Sequence, residues 1–259
     1  MMALNASRAV SPTVLHGLVG AWCPSLGPSG YTLLDRSGGG NHGVLTNMDA
    51  ASDWVGTPGG WALDFDGSND WINIPRPRQI ASTGVTHYTV SYWVKLRSGY
   101  GATLRCNSTS GLFVYSATNL NGGIQMGTGG TYPIYSNTKL TAGAWAHCVI
   151  VFNDKAVSLY LDGKADGGGT SANLPNFSTD NFRFGGYGGA ETTNGQYGDF
   201  GFWLRAMTAP EVSALYRAGQ SGLGRLLTQQ RRRVYGIPAA AVKPYLFLNR
   251  GQVIGGGML

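Results

Sequence analysis

A chain of 259 residues has room for one large domain or two small ones, and 42% apolar residues can supply a buried core. Charged residues are only 12% and glycines number 41, which argues against a solvated helical protein and favours short strands joined by tight turns. Residues 1–211 carry 12 Lys and Arg against 13 Asp and Glu, a net of −1, and residues 212–259 carry 7 against none, so the last fifth holds the whole +6 excess. Basicity therefore describes the C-terminal segment, not the ligands of the main domain.

Residues 1–13 read as a lead-in without the basic and apolar regions of a signal peptide. No run of 18 apolar residues is present, so no helix is expected to span a membrane. From residue 14 onward, strand-like runs follow one another: "LVGAWCP", "WALDFDG", "DWINIP", "YTVSYWVKL", "ATLRCN", "GLFVYSA", "GIQMGTG", "WAHCVIVFN", "AVSLYLDG", "NFRFGGYG" and "GDFGFWLRAM". In one of them Tyr88, Val90, Tyr92 and Val94 alternate with Thr89, Ser91, Trp93 and Lys95, as in a sheet with two different sides. Asn153-Asp154 and Asp162-Gly163 bracket a further strand as two hairpin turns. Most tryptophans fall in strand patterns and read as core.

Cys23, Cys106 and Cys148 have no paired spacing, and the four histidines are scattered, so neither a disulfide framework nor zinc is indicated. His147 and Cys148 are sequence neighbours in a strand and point to opposite faces. In "MTAPEVSALYRAG", Thr208 and Glu211 form a capping box, with Pro210 in the first turn. Val212, Leu215 and Tyr216 share a face, and Gly219 reads as the stop. Residues 14–220 thus form an all-β, two-sheet antiparallel sandwich closed by one short helix, and 221–259 an extended basic and apolar arm.

The ordered set "GLVGAW", "LLDRSGGGNHGVLTN", "ALDFDGSNDWINIP", "YTVSYWVKL", "WAHCVIVFNDKAVSLYLDGK" and "GDFGFWLRAMTAPEVSALYRAG" resembles the concanavalin A-like lectin/glucanase superfamily, specifically its laminin-G-like, pentraxin-like jelly rolls. The resemblance implies two stacked sheets that often present a glycan-binding face. Many members hold a calcium ion, and carried over by motif its ligands are Asp35, Asn41, Asp66, Asn69, Asp70 and Asp199. Glucanase members carry Glu-x-Asp-x-Glu on one strand. This chain has only two glutamates, Glu191 and Glu211, which assemble no acid–base pair, and enzymatic activity is not expected.

Glycan or protein contact is assigned to tyrosines in Gly- and Asn-rich segments: Tyr100, Tyr132, Tyr135, Tyr187 and Tyr197. In the arm, Arg231, Arg232 and Arg233 with Tyr235, Tyr245 and Phe247 make a docking segment. Three arginines beside one tyrosine are too little for a nucleic-acid site, and ten apolar groups between Val234 and Ile254 are too many to leave in water. A laminin-G-like domain followed by "RRRVYGIPAAA" is also similar to proteins of tailed bacteriophages. That resemblance implies a virion structural protein, a capsid decoration or fibre-like part. It would be made in the host cytoplasm and docked through its arm to its own copies, in a trimer for instance, and to the major capsid protein. The alternative is a free-standing carbohydrate-binding module.

Overall fold

The computed structural model describes residues 12–81, 83–106, 111–118, 122–128, 131–177, 181–186, 191–220 and 227; residues 12, 13 and 131–133 are placed by their backbone. Sixteen strands and one α-helix make up the described chain. The strands are β1 (Leu18–Trp22), β2 (Thr32–Leu33), β3 (Gly43–Thr46), β4 (Trp54–Thr57), β5 (Gly60–Asp66), β6 (Trp71–Ile74), β7 (His87–Leu96) and β8 (Tyr100–Arg105). They continue as β9 (Leu112–Ala117), β10 (Ile124–Thr128), β11 (Thr131–Tyr135), β12 (Ala146–Asn153), β13 (Ala156–Leu161), β14 (Lys164–Thr170), β15 (Phe182–Phe184) and β16 (Asn194–Trp203). Helix α1 spans Ala209–Gly219.

Two eight-stranded antiparallel sheets result. Sheet A runs β14-β13-β12-β7-β16-β5-β4, with β1 paired to β16, and sheet B runs β11-β10-β9-β8-β15-β6-β3-β2. The expected all-β sandwich is therefore what the chain forms. Between the sheets lies the main core, in which Tyr88 stacks on Phe152 and on Phe202 with ring centroids 4.8 and 5.6 Å apart. These residues come from alternate positions of β7, β12 and β16, as strand geometry requires. The hairpin turns use left-handed pairs, Asp154-Lys155 and Asp162-Gly163, all with positive φ. The first turn thus sits one residue later than its Asn-Asp signal suggested.

The other side of sheet A carries a second apolar cluster. Val149, Val151, Tyr160 and Trp203 meet Val212 and Leu215 of α1, together with Val14 and Leu227. The turn Pro12–Leu15 is tied down by Trp203, whose indole N–H donates to the Val14 carbonyl at 2.9 Å. Helix α1 begins as predicted: the Thr208 N–H donates to Glu211 Oε2 at 2.9 Å. Its end differs. Gly219 is the last helical residue and Gln220 caps it with φ −58°, so Gly219 is not a left-handed stop. Gly219 has another reason to be small. A Cβ there would lie 2.7 Å from Trp93 Nε1, so the helix meets the sheet only if this position is bare.

Candidate functional site

The residues that build the site lie on the outer face of sheet A, beside α1. Trp93 shares its side of β7 with Thr89 and Ser91, opposite the core positions. Thr89 Oγ1 donates to the Arg205 carbonyl at 2.8 Å, and Ser91 Oγ bonds His147 Nε2 at 2.8 Å. Trp93 lies 5.0 Å from the His147 ring and is stacked on Tyr216 of α1 at 5.7 Å, with the planes 19° apart. His147 is buried, which holds its pKa down at about 3, so the ring is a neutral packing element. His147 faces this layer and Cys148 the main core, as strand alternation predicts.

One irregularity in β16 opens the site. Its register with β7 shifts between Tyr197 and Phe200, so both rings enter the core and the two residues between them are turned outward. Gly198 forms part of the floor: a Cβ there would lie 3.1 Å from Trp93 Cβ and 3.7 Å from the Trp145 ring. Asp199 is braced by Ser25, whose N–H donates to Oδ1 at 3.0 Å and whose hydroxyl donates to Oδ2 at 2.7 Å. Across from them stands the β4–β5 hairpin with Trp61, 41% exposed. Trp145 precedes β12, and Asp162 comes from the β13–β14 turn, where Oδ1 accepts the His147 N–H at 2.9 Å.

Together Trp61, Trp93, Trp145, Tyr216, Asp162 and Asp199 line a cleft of about 280 Å³. Four aromatic rings with a few fixed polar groups fit the composition of a small-ligand site. The expectation that most tryptophans are core is corrected here. Trp22, Trp54 and Trp203 are buried, while Trp61 is exposed and Trp71, Trp93 and Trp145 are half-buried. The usable signal was Trp93 on the same side as Thr89, Ser91 and Lys95, an aromatic on the polar face of its strand.

The predicted tyrosines do not assemble into this site. Tyr197 is fully buried in the core, its hydroxyl 2.8 Å from Thr103 Oγ1, so its assignment as a contact residue is corrected. The Gly-rich flanks suggested a loop, but β16 already begins at Asn194. Tyr100 is exposed on sheet B and packs edge-on to Tyr115, and Tyr135 is half-buried in β11. The side chain of Tyr132, all of Tyr187, and the arm residues Arg231, Arg232, Arg233, Tyr235, Tyr245 and Phe247 lie outside the described residues.

The carboxylates expected to hold calcium are engaged with their own loops. Asp35 accepts the Ala21 and Ser37 N–H groups on Oδ1 and the Asn41 N–H on Oδ2. Asp66 Oδ1 accepts from Ser68 and Asn69, and Asp70 Oδ2 from the Asp66 N–H. Asp199 belongs to the cleft and to Ser25. Among the described residues no group of three or more His, Cys, Asp or Glu can hold a metal ion. In the described residues these carboxylates brace their own turns.

A two-sheet antiparallel jelly roll with an aromatic cleft defines a lectin-like class of domain. Residues 66–213 match the Laminin_G_3 family, and the chain belongs to this family of the concanavalin A-like lectin/glucanases superfamily. No curated protein matches the chain. Among solved structures it is similar to domain 4 of AbnA, an extracellular arabinanase from Geobacillus stearothermophilus solved with arabinotriose, at 18% identity and a TM-score of 0.61, over 77% of this chain and 98% of that one. It is also similar to the binding domain of Paraclostridial Mosquitocidal Protein 1 (16%, TM-score 0.62, 79% of this chain and 53% of that one). A third is Trypanosoma rangeli sialidase in complex with sialic acid (19%, TM-score 0.54, 77% and 32%). The chain thus spans about half of the toxin binding domain and a third of the sialidase.

Proposed function

We propose that this chain is a non-enzymatic carbohydrate-binding domain whose sugar site is the cleft beneath α1. The observation that carries this reading is the convergence of Trp61, Trp93, Trp145 and Tyr216 on one opening. Ring faces of this kind stack on the apolar faces of sugars, and Asp162, Asp199 and Gln220 supply polar partners for hydroxyls. The arabinotriose complex of the similar arabinanase domain supports the same class of ligand.

Hydrolysis is disfavoured by how the carboxylates are used: in the cleft, Asp199 holds the Ser25 N–H and hydroxyl and Asp162 the His147 N–H, so both serve as bracing acceptors. Glu191 pairs with Arg105, and Glu211 with Arg205 at 2.9 Å, which holds Glu211 below the usual carboxylate range. Burial raises Asp70 to about 6, yet it lies outside the cleft and holds the Asp66 N–H. A glycosidase needs an acid and a second carboxyl flanking one bond. The test is a glycan array and calorimetry with the full chain and Trp61→Ala. We expect binding weakened about tenfold by the truncation, the order of one lost aromatic contact. Undiminished binding in Trp61→Ala would move the site elsewhere, and no glycan bound at all would end the reading.

A second, finer reading is a virion structural protein anchored through residues 221–259 to its own copies and to a capsid or other virion protein. It is supported by the confinement of excess positive charge to residues 212–259 and by Leu227, which packs with α1 on the outer face of sheet A. A chain ending at Gly224 should then fail to join particles that the full chain joins. Equal incorporation would refute docking through the arm.

A further inference from the structure

We infer that His147, which does not itself line the cleft, is the positioning residue of its wall: the buried imidazole fixes the rings of Trp93 and Tyr216, and its main chain fixes Asp162. This rests on the sugar-site reading above and names what holds that site in shape before a ligand arrives. The centroids of the three rings form a triangle, 5.0 Å from His147 to Trp93, 5.7 Å from His147 to Tyr216 and 5.7 Å from Trp93 to Tyr216. Trp93 and Tyr216 line the cleft, whereas His147 is 1% exposed and stands behind them. Along β12 it shares a side with Val149 and Val151 of the apolar patch under α1, so it marks the point where patch gives way to cleft.

Its hydrogen bonds end on elements of the site. Ser91, which shares β7 with Trp93, bonds Nε2 at 2.8 Å. The torsion that swings an imidazole about its own axis is otherwise broad, and a tie at the far edge of the ring fixes its plane. The His147 N–H donates to Asp162 Oδ1 at 2.9 Å, and the Asp162 N–H donates back to the His147 carbonyl at 2.8 Å, so the β13–β14 turn is clasped by two bonds. The same turn abuts the helix: a Cβ on Gly163 would lie 2.9 Å from Tyr216 Cβ. Filling volume alone does not call for histidine here. Nδ1 is buried with no hydrogen-bond partner among the described residues, a cost that an apolar ring of the same shape would avoid. What histidine adds is a flat face for two aromatic neighbours together with an edge that can be tied to Ser91. Side chains fixed in this way lose less freedom when a sugar docks, and a residue that never touches the ligand thereby adds to affinity.

The test compares the full chain with His147→Leu, which fills the space without a flat face, with His147→Phe, which restores the face without the bond, and with Ser91→Ala, which unties the native ring. Near-UV circular dichroism reads the Trp93–Tyr216 stack without any ligand, and Trp93→Phe identifies its band. A glycan array, followed by calorimetry on the glycans that the parent binds, reads the cleft at a temperature where urea titration shows each variant folded. We expect His147→Leu to lose most of the band and to bind about tenfold more weakly. His147→Phe should regain the band, and it and Ser91→Ala should bind about threefold more weakly than the parent. A histidine that serves stability alone would shift the urea midpoint and leave the band and the affinity of the folded protein unchanged. That result in His147→Leu overturns the inference and leaves the sugar site standing. Should His147→Leu not fold, Ser91→Ala decides in the same way. Silence of the parent across the array ends the sugar-site reading by itself, and the band in His147→Leu and Ser91→Ala still accepts or rejects His147 as the holder of the wall.

Discussion

The two faces of sheet A use the same strands for different ends. The inner face is a continuous hydrocarbon and aromatic surface in which Tyr88, Phe152, Phe200 and Phe202 are packed on every side. The outer face mixes Thr89, Ser91, His147 and Trp93 with the apolar patch under α1, and it is left open where the β16 bulge and the bare Gly198 make room. The inner side is packed throughout, and the outer side is divided between the buried patch under α1 and the cleft. The lesson is that burial alone does not rank the aromatics of this chain by role; the side of the strand does.

The largest effect should come from truncating across that divide. Phe202→Ala empties the inner core and should lower unfolding free energy by about 3–5 kcal/mol. Trp145→Ala, half-buried at the cleft, should cost below about 1 kcal/mol while weakening glycan binding about tenfold. Urea titrations of both variants measure this, and equal losses would erase the distinction between the faces.

A subtler test uses two buried groups with opposite linkage. His147 stays neutral when folded down to about pH 3, whereas the unfolded chain protonates it near 6.5. The unfolded state then binds more protons across that window, so this contribution is complete above pH 6.5 and is lost as pH falls. Asp70 is raised from 3.8 to about 6, so the folded state binds more protons between those values and stability falls as pH rises through them. Between about pH 4 and 6 the two slopes offset one another. Asp70→Asn should expose the histidine slope, giving a stability that declines steadily below pH 6.5. Superimposable pH profiles for parent and variant would contradict the assignment.

The smallest expected effect is none. Because Asp35, Asp66, Asp70 and Asp199 are committed to loop donors, a chelator should leave the thermal midpoint unchanged. A drop of several degrees would restore calcium as a structural ligand.

Much of the fold was legible because strand alternation is written locally: the Tyr88–Val94 positions, the paired hairpin turns and the Thr208–Glu211 cap each depend on a few adjacent residues. The cleft was not legible for the opposite reason. It needs Trp61, Trp93, Trp145 and Tyr216 from four separate segments, and the bulge that turns Asp199 toward them arises from pairing between β7 and β16. Tyr197 misled because its Gly neighbours look like a loop, although they serve close packing inside a strand. Gly219 misled in the same way, since its small size serves Trp93 rather than a helix stop.

The position of β16 also bears on how this chain is made. It lies between β5 and β7, and it pairs with β1 as well, so the last of the described strands joins segments about a hundred residues or more older. While the chain grows on the ribosome, β5 and β7 each keep an open, hydrogen-bond-hungry edge until Trp203 has emerged. Closure therefore waits for nearly all of the described strands, a non-local pairing of the kind that slows folding.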